Sequence, residues 1–384
     1  MNNKKTILYI DIEGGYGGSS KSLYQMVTSI DKNKFEPIVF SKKKGPNYDK
    51  LVKANISCQI EKNIASFIPL KKNNIKNIII SLPKLFRTYK LIKRIIDLNP
   101  YIIHFNYEGL IPLHYLLCKF GLSSKSIIHF RSSATSPNFL YKIFSRHVNK
   151  SVDFLIFISE NEKKIASLAG VNLKKIPHRV LYNPVEKISK VPPKKKGDKL
   201  RVIYIGTLDY YKGSKRLIEL AKCLKKINAK VKINAFGTSP RHKKWFFLSR
   251  NIYKELKKQV IDLGLSDWLE YHGYTINPED EMLKSDMLIH PSHYNDPWGR
   301  NIIEALSLGL PVITHGKYNI FVRNNVTGLI FEEWNINKYI DSLERLSNNK
   351  NKILKWSKNA ISLSSKLFEK KKYGKSINKI YHNL

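Results

Sequence analysis

Short apolar runs alternate along the first half of the chain with segments in which apolar residues recur at helical spacing. The runs are rich in β-branched residues and lie at Thr6–Ile10, Pro37–Ser41, Tyr101–Phe105, Ser126–Phe130, Phe154–Ile158 and Arg179–Tyr182. Such alternation predicts strands separated by helices. It indicates a parallel sheet covered by helices on both faces, because the strands of such a sheet are apolar on both sides.

The same pattern starts a second time after a polar stretch. Residues 186–199, EKISKVPPKKKGDK, are rich in lysine and contain paired prolines, as a linker does. Apolar runs then follow at Leu200–Ile205, Val231–Ala235, Leu269–His272, Met287–His290, Pro311–Thr314 and Leu329–Phe331. We therefore predict an α/β protein with two Rossmann-like domains, residues 1–185 and 200–365, whose parallel sheets face one cleft. Residues 366–384 have a helical pattern, and we expect this helix to cross back to the first domain.

A glycine-rich loop follows the first apolar run. It contains Gly14, Gly15, Gly17 and Gly18 and leads into SSKSLYQMV, which has the pattern of a helix. The stretch GYGGSSKS fits neither a P-loop nor a dinucleotide-binding GxGxxG motif, because Ser20 stands where each requires glycine. Glycine at the carboxyl end of a strand still allows a substrate to approach the backbone closely.

Two further strands of the first half end in loops that carry histidine. The loops read His104-Phe-Asn106 and His129-Phe-Arg131. Because ligands of open α/β sheets bind beyond the carboxyl ends of the strands, both histidines are candidates for chemistry. The alternative for each is a purely structural role.

The stretch 290–313, HPSHYNDPWGRNIIEALSLGLPVI, combines a strand end, a turn and a helix start. Its carboxylates are Asp296 and Glu304. The pattern predicts a helix that begins at Pro297, with an apolar face, and that stops at Gly309. Its first backbone N–H groups, near Gly299, would suit a phosphate or diphosphate. A helix cap at the first carboxylate and an ordinary i,i+4 ion pair at the second are the alternative.

Composition limits the classes of protein to consider. The chain has 384 residues, 42% of them hydrophobic, which is enough for two domains. It has no apolar run of about 18 residues and no signal peptide at its start, which favours the cytoplasm. The three cysteines, Cys58, Cys118 and Cys223, are far apart, which argues against a disulfide framework or a metal cluster.

The formal net charge of +38 suggests a polyanionic or phosphorylated partner, although a general enrichment in lysine would also produce it. Basic and aromatic residues mix at 70–98 and in FLYKIFSRH at 139–147. From Leu85 on, the first of these segments predicts a basic amphipathic helix, which either lies on an anionic membrane or packs its apolar stripe on the sheet. Nucleic-acid binding, suggested by RHKKWFFLSRNIYKELKK at 241–258, lacks any accompanying recognition motif.

Several motifs together resemble the retaining glycosyltransferases of family 4, which have the GT-B fold of two Rossmann-like domains. The strongest is the segment Asp296-Pro-Trp-Gly-Arg-Asn-Ile-Ile-Glu304-Ala, followed by Gly309-Leu-Pro311-Val312. Supporting motifs are the glycine loop at 14–18, Asn183-Pro-Val185, Gly206 with Lys212-Gly213, and Asn325-Val-Thr-Gly328. Each is weak alone, but their order and spacing match the family over most of the chain.

The resemblance implies a nucleoside-diphosphate-sugar donor, linked to UDP or GDP, and an acceptor bound by the first domain. Glu304 would bind the ribose hydroxyls, and Asp296 would contact the transferred sugar near its anomeric carbon. Gly299, Arg300 and Lys212 would hold the diphosphate, and His129 would contact the donor sugar or the acceptor hydroxyl. The glycines Gly15, Gly17 and Gly206 and the neighbouring Thr207 would line the donor site. Such enzymes need no cofactor and no bound metal.

Two positions depart from the family pattern. Asp296 is shorter by one methylene than the usual glutamate, and Thr207 replaces the usual phosphate-binding arginine. The resemblance as a whole implies transfer of a hexose, with retention, to a lipid-linked cell-surface polysaccharide or lipopolysaccharide. The basic and aromatic stretches at 70–98 and 139–147 suggest that this takes place at the inner face of the cell membrane. The alternatives are a weak or inactive enzyme that keeps the fold and, further away, a nucleic-acid-binding protein. The sequence does not indicate an oligomeric state.

Overall fold

A computed structural model of the protein describes residues 4–14, 18–66, 82–131, 139–186, 188–189, 197–237, 252–293 and 299–384; within these, the side chains of 82–87 and 139–141 are left aside. The chain divides into two compact units. Unit 1 comprises Met1–Glu186 together with Lys370–Leu384, and unit 2 comprises Lys187–Glu369. The helix predicted at 366–384 therefore belongs, from Lys370 on, to the same unit as the first half of the chain.

Unit 1 is built on a seven-stranded sheet in which every paired strand is parallel to its neighbour. Its strands are β1 Lys5–Asp11, β2 Phe35–Ser41, β3 Ser57–Ile60, β4 Ile102–Phe105, β5 Lys125–Phe130, β6 Phe154–Phe157 and β7 His178–Val180. Their spatial order is β3-β2-β1-β4-β5-β6-β7, so the chain reverses direction across the sheet between β1 and β4. Ligands of doubly wound sheets bind at such a point.

Helices cover the sheet of unit 1. Those in the described residues are α1 Gly18–Val27, α2 Pro46–Lys53, α3 Leu82–Leu98, α4 Ile111–Lys119, α5 Phe139–Ser151, α6 Glu160–Leu168 and, from the far end of the sequence, α13 Lys370–Asn383. Helix α13 packs Ile377 and Tyr381, both fully buried, against core residues of β1 and α1 such as Tyr9 and Met26. Unit 1 therefore completes its core with residues that follow unit 2 in the sequence.

Unit 2 repeats the architecture with a six-stranded parallel sheet. Its strands are β8 Leu200–Ile205, β9 Val231–Phe236, β10 Leu269–Gly273, β11 Met287–His290, β12 Val312–His315 and β13 Gly328–Phe331. Its helices in the described residues are α7 Arg216–Lys226, α8 Ile252–Asp262, α9 Pro278–Leu283, α10 Arg300–Ser307, α11 Ile336–Ser347 and α12 Lys350–Leu367. The order β10-β9-β8-β11-β12-β13 places the reversal between β8 and β11, which confirms two Rossmann-like units with parallel sheets.

Helix α10 begins later than its sequence predicts. The prediction placed its first residue at Pro297, but the helix starts at Arg300, and Gly299 before it has an extended conformation with ψ of 155°. That ψ lies outside the helical region, so a helix from Pro297 is wrong. Glu304 consequently lies about one turn inside the helix, not two. The predicted stop is confirmed, since Gly309 adopts the left-handed conformation that ends helices.

Helix α3 buries its apolar stripe. Leu91, Ile92 and Ile95 are at most 3% exposed and belong to the core on one face of the sheet. Of the two interpretations of this basic segment, packing on the sheet is therefore observed for its described part, whereas residues 70–81 lie outside the described residues. Within the described part of the chain, no helix is long and apolar enough to cross a membrane.

Candidate functional site

The loop after β8 lies at the carboxyl edge of the unit 2 sheet, beside the reversal point. At its start, a side chain added at Gly237 would lie 1.8 Å from the carbonyl oxygen of Gly206, so the ends of β8 and β9 pass in direct contact. Thr207 follows, and its carbonyl accepts a hydrogen bond of 2.7 Å from the Tyr204 hydroxyl. The predicted donor-binding positions Gly206 and Thr207 therefore belong to a rigid turn.

Lys212 lies further along this loop and is held by its backbone. Its N–H donates a 2.7 Å hydrogen bond to Asp209, and its side chain is half-buried. The next residue, Gly213, has φ of +75°, and a Cβ there would lie only 1.9 Å from the carbonyl oxygen of Pro291. Only glycine allows the lysine loop to lie this close to the segment that follows β11.

The segment after β11 is fastened to the lysine loop. The His293 N–H donates to the carbonyl of Tyr211 at 2.7 Å, and Arg216 donates to the carbonyls of Pro291 and Ser292, both at 3.0 Å. The guanidinium of Arg216 also lies 4.3 Å from the ring centroid of Trp334. Arg216 thus acts as a structural clamp that holds the segment after β11.

Helix α10 brings the remaining donor-binding candidates to the same edge. The side chain of Asn301 donates a 2.8 Å hydrogen bond to the carbonyl of Ile205, which fixes the first turn of the helix above the end of β8. Gly299 and Arg300 form that first turn. Glu304, 9% exposed, forms an ion pair with Arg300 in which Nε and Oε1 are 2.8 Å apart.

The structure therefore brings together six of the predicted site residues at one edge of unit 2: Gly206, Thr207, Lys212, Gly299, Arg300 and Glu304. Three others, Asp296, Gly15 and Gly17, lie outside the described residues. The tenth, His129, belongs to unit 1.

Unit 1 carries a buried polar network at the corresponding edge of its own sheet. Asp11, at the end of β1, is 1% exposed and accepts three hydrogen bonds. The donors are the N–H of Gly14 at 3.0 Å, the hydroxyl of Ser20 at 2.7 Å and the amide of Asn106 at 3.0 Å. Because an ionised carboxylate only accepts, Asp11 orders the glycine loop, helix α1 and the end of β4 around one point.

Arg131 extends this network from the end of β5. Its Nε donates to Asn106 at 2.8 Å and its Nη1 to Asn183 at 2.7 Å. Its backbone N–H donates to Glu108 at 2.9 Å, and its Nη2 lies 3.1 Å from Nδ1 of His129. A largely buried arginine thus links the Asn-Pro-Val motif at 183–185 to the predicted catalytic histidine.

The two histidines predicted at strand ends contact each other. Nε2 of His104 lies 3.2 Å from Nδ1 of His129, and both rings are fully buried. Burial lowers the pKa of each ring well below its usual value, and the charge of Arg131 lowers both further. Both imidazoles are therefore neutral at pH 7.

The sequence did not single out Asp11 or Tyr381 as members of this network. Asp11 had a usable signal, since it is the polar residue that ends an apolar strand before a glycine loop. Tyr381 had none, because it lies 277 residues after its partner His104.

A second cluster lies between helices α4 and α5. His114, Cys118 and His147 have potential ligand atoms within 4.8 Å of one another, which the spacing of the cysteines alone did not indicate. The Nδ1 of His114 lies 2.9 Å from Nε2 of His147, whereas its Nε2 lies 3.5 Å from the Cys118 sulfur. Since the two partners approach different ring nitrogens, the arrangement is a chain of hydrogen bonds between two helices.

Comparison with known proteins agrees with the geometry of unit 2. Residues 185–363 match the model of the family described as glycosyl transferases group 1. A curated relative, the poly(glycerol-phosphate) alpha-glucosyltransferase of Bacillus subtilis strain 168, is 25% identical over 246 residues. The match covers 62% of this chain and 34% of the relative, so the chain spans about a third of the relative's length.

Solved structures of similar fold cover nearly the whole chain. Anabaena Alr3699/HepE in complex with UDP-glucose has a TM-score of 0.76 at 18% identity, over 99% of this chain and 100% of that one. Sucrose-phosphate synthase from Thermosynechococcus elongatus has a TM-score of 0.77 at 17% identity, over 99% of both chains. A mutant of S. aureus TarM, in complex with fondaparinux, alpha-GlcNAc-glycerol and UDP, has a TM-score of 0.70 at 15% identity, over 98% of this chain and 99% of that one. The chain therefore has the GT-B fold and carries, over residues 185–363, a domain of the glycosyl transferases group 1 family.

Proposed function

We propose that the protein is a retaining glycosyltransferase that moves a hexose from a nucleoside-diphosphate sugar to a cell-surface glycan. The observation that carries the proposal is the edge of unit 2, where a rigid glycine and lysine loop meets the first turn of helix α10. Such an edge provides N–H groups, a helix dipole and a lysine for a diphosphate. Of the similar structures, one contains UDP-glucose and another contains UDP, which makes UDP-linked sugars the first donors to test.

Each candidate residue has a role in this proposal. Glu304 accepts hydrogen bonds from the ribose hydroxyls; a carboxylate can accept about four, so it can share them with the ion pair to Arg300. Lys212 and the N–H groups near Gly299 and Arg300 neutralise the diphosphate as it leaves, without a bound metal. Asp296 contacts the transferred sugar.

We propose that unit 1 supplies His129 and the acceptor site. His129 is neutral and buried at the end of β5, where it can contact a sugar hydroxyl. We propose an anionic glycan as the acceptor, because the chain has a formal net charge of +38 and its relative is named for poly(glycerol phosphate). Lipid-linked polysaccharide or lipopolysaccharide are the other acceptors of this class.

Donor use is the first test. Thermal shift with UDP, GDP and their sugars ranks donors, because a ligand that binds only the folded protein stabilises it. The matched donor should then release nucleoside diphosphate. Glu304→Gln should lower kcat/KM about 10- to 100-fold, since hydrogen bonds to a charged group contribute roughly 1.5–3 kcal/mol. Glu344→Gln, on the exposed face of α11, serves as the control and should leave kcat/KM unchanged. Equal rates for wild type and Glu304→Gln would refute the role of Glu304.

Retention and the acceptor need separate measurements. With an α-linked UDP-sugar, NMR of the product should show an α linkage, and a β linkage would refute retention. Transfer to poly(glycerol phosphate) should exceed transfer to a neutral glucan and should fall as salt rises, because exposed charges are screened. Equal transfer to both acceptors at all salt concentrations would remove the anionic acceptor from the proposal.

We also propose peripheral association with an anionic membrane at the cytoplasmic face. Exposed aromatic residues on neighbouring helices support it: Tyr89 of α3, Tyr115 of α4 and Phe120 just after α4 are 43–53% exposed, and the rings of Tyr89 and Phe120 are 5.6 Å apart. Basic helices that display aromatic residues bind anionic bilayers. The protein should sediment with anionic vesicles at low salt and less so with neutral ones. Tyr89→Ser combined with Phe120→Ser should weaken sedimentation, and failure of the wild type to sediment would end this part of the proposal.

A further inference from the structure

Four buried side chains of unit 1, Tyr381, His104, His129 and Arg131, form a continuous line of polar contacts. The hydroxyl of Tyr381, on α13, lies 2.8 Å from Nδ1 of His104. Nε2 of His104 lies 3.2 Å from Nδ1 of His129. Nη2 of Arg131 lies 3.1 Å from the same Nδ1 of His129.

The chemistry of these groups fixes the direction of every hydrogen bond. A guanidinium only donates, so Nδ1 of His129 must accept from Arg131 and the ring proton of His129 must be on Nε2. His104 then also donates to Nδ1 of His129 through its own Nε2–H. Nδ1 of His104 is consequently an acceptor, and the hydroxyl of Tyr381 donates to it. No other assignment of protons to neutral rings satisfies all three contacts.

This leaves one donor of His129 to explain. Its Nε2 is buried and has no hydrogen-bond partner among the described residues. Buried donors are nearly always paired in folded proteins, so an orphan at the carboxyl edge of a parallel sheet points to a ligand atom.

We propose that Tyr381 and Arg131 hold His129 as the neutral Nε2–H tautomer, Tyr381 acting through His104, so that His129 donates a hydrogen bond to a substrate oxygen and does not accept a proton. Tyr381 and His104 are positioning residues. The identification of the substrate as a sugar rests on the proposed function, whereas the assignment of the tautomer does not.

The surroundings of the two rings favour the neutral state. The titratable and charged side chains that face them are Arg131 from the loop after β5, Tyr9 from β1 and Tyr381 from α13, and Tyr373 of α13 interacts in turn with Arg131. Burial raises the pKa of each of these tyrosines above its usual value, which keeps them neutral as well. Two carboxylates of the same network, Asp11 and Glu108, accept hydrogen bonds from Asn106 and from the backbone N–H of Arg131. Among the described residues, Arg131 is thus the one charged side chain in contact with the rings, and its positive charge opposes their protonation.

Removing the hydroxyl of Tyr381 and measuring the kinetics tests its positioning role. Tyr381→Phe should lower kcat about three- to tenfold, the worth of one hydrogen bond, while the donor KM stays within about twofold. Tyr48→Phe is the matched control, because it removes a hydroxyl that donates at 3.2 Å to the carbonyl of Cys58 in the same unit. The control should lose comparable thermal stability and no kcat. An unchanged kcat in a folded Tyr381→Phe variant, or an equal loss in both variants, would overturn the positioning role.

Long-range ¹H–¹⁵N NMR of ¹⁵N-histidine-labelled wild type tests the tautomer without any turnover. His129, assigned by the signals lost in His129→Gln, should show the Nε2–H pattern and should not titrate between pH 6 and 8. An Nδ1–H pattern, or titration in that range, would overturn the proposal. Because this measurement needs no donor or acceptor, a protein that fails to transfer sugar but shows the Nε2–H pattern would refute the proposed function and leave the tautomer assignment standing.

Discussion

The contact between the lysine loop and the segment after β11 can be tested with a single methyl group. In Gly213→Ala the new Cβ would lie 1.9 Å from the carbonyl oxygen of Pro291. Carbon and oxygen atoms in close contact are about 3.3 Å apart, so the loop or the segment must move by roughly 1.4 Å. Since the loop carries Lys212, this movement displaces a group that we propose holds the diphosphate.

The structure also supplies the matched control. Gly197, in the same unit, has φ of +86°, close to the +75° of Gly213, but a Cβ there would meet no atom within 4 Å. Alanine in the left-handed region costs roughly 1–2 kcal/mol at either position. The clash adds about 1–3 kcal/mol at Gly213 only. Gly213→Ala should therefore unfold at a lower temperature than Gly197→Ala, by about 2–4 °C for each kcal/mol of difference.

Two assays measure the effect of these substitutions. Thermal unfolding measures the difference in stability, and release of nucleoside diphosphate measures the effect on the donor site. Turnover should fall about 100-fold in Gly213→Ala, because a displacement near 1 Å can cost that much, and should be unchanged in Gly197→Ala. Equal unfolding temperatures and equal turnover in the two variants would show that the contact between loop and segment has been misjudged.

Three further predictions concern buried ionisable side chains. Asp11→Asn should lower the free energy of unfolding by about 1–3 kcal/mol in urea titration, because an amide cannot accept from all three donors around it; an unchanged midpoint would contradict this. Asp286→Ala should cost about the same, since Asp286 is 5% exposed and forms a 3.0 Å ion pair with an arginine of β8, and a loss below ~0.5 kcal/mol would contradict it. Burial lowers the pKa of His104, His129 and His114, the last to about 3, so the folded state binds fewer protons than the unfolded chain below pH 6.5. Their contribution to stability is complete above pH 6.5 and falls on acidification by up to about 1.4 kcal/mol per histidine for each pH unit. The unfolding temperature should therefore fall between pH 7 and pH 5, and an unchanged temperature would refute this prediction.

The sequence predicted the fold well where local signals and tertiary burial agree. Leu200–Ile205 and Met287–His290 are continuous apolar runs between turn residues, and the strands have the same bounds. Strand β3, Ser57–Ile60, was missed because it lies at the sheet edge, is only half-buried and lacks a long apolar run. Helix α10 begins three residues late because proline at a first turn is a preference, which the conformation of Gly299 overrides.

The site was predictable only in part. Positions at strand ends, such as His104 and His129, could be inferred because parallel strands bring their carboxyl ends to one edge. The direct contact between the two rings could not, since it depends on the order of β4 and β5 and on Arg131. The role of Asp296 stays a prediction, because it lies outside the described residues.

The membership of Lys370–Leu384 in unit 1 also affects how the protein is made. A ribosome that has finished Glu186 must still translate all of unit 2 before α13 exists, which takes roughly 10–40 s at 5–20 residues per second. Until then the nascent first half lacks Ile377 and Tyr381 and exposes the apolar surface that they cover. The core of unit 1 is therefore incomplete while unit 2 is translated, and His104 acquires its hydrogen bond with Tyr381 only after unit 2 has been translated.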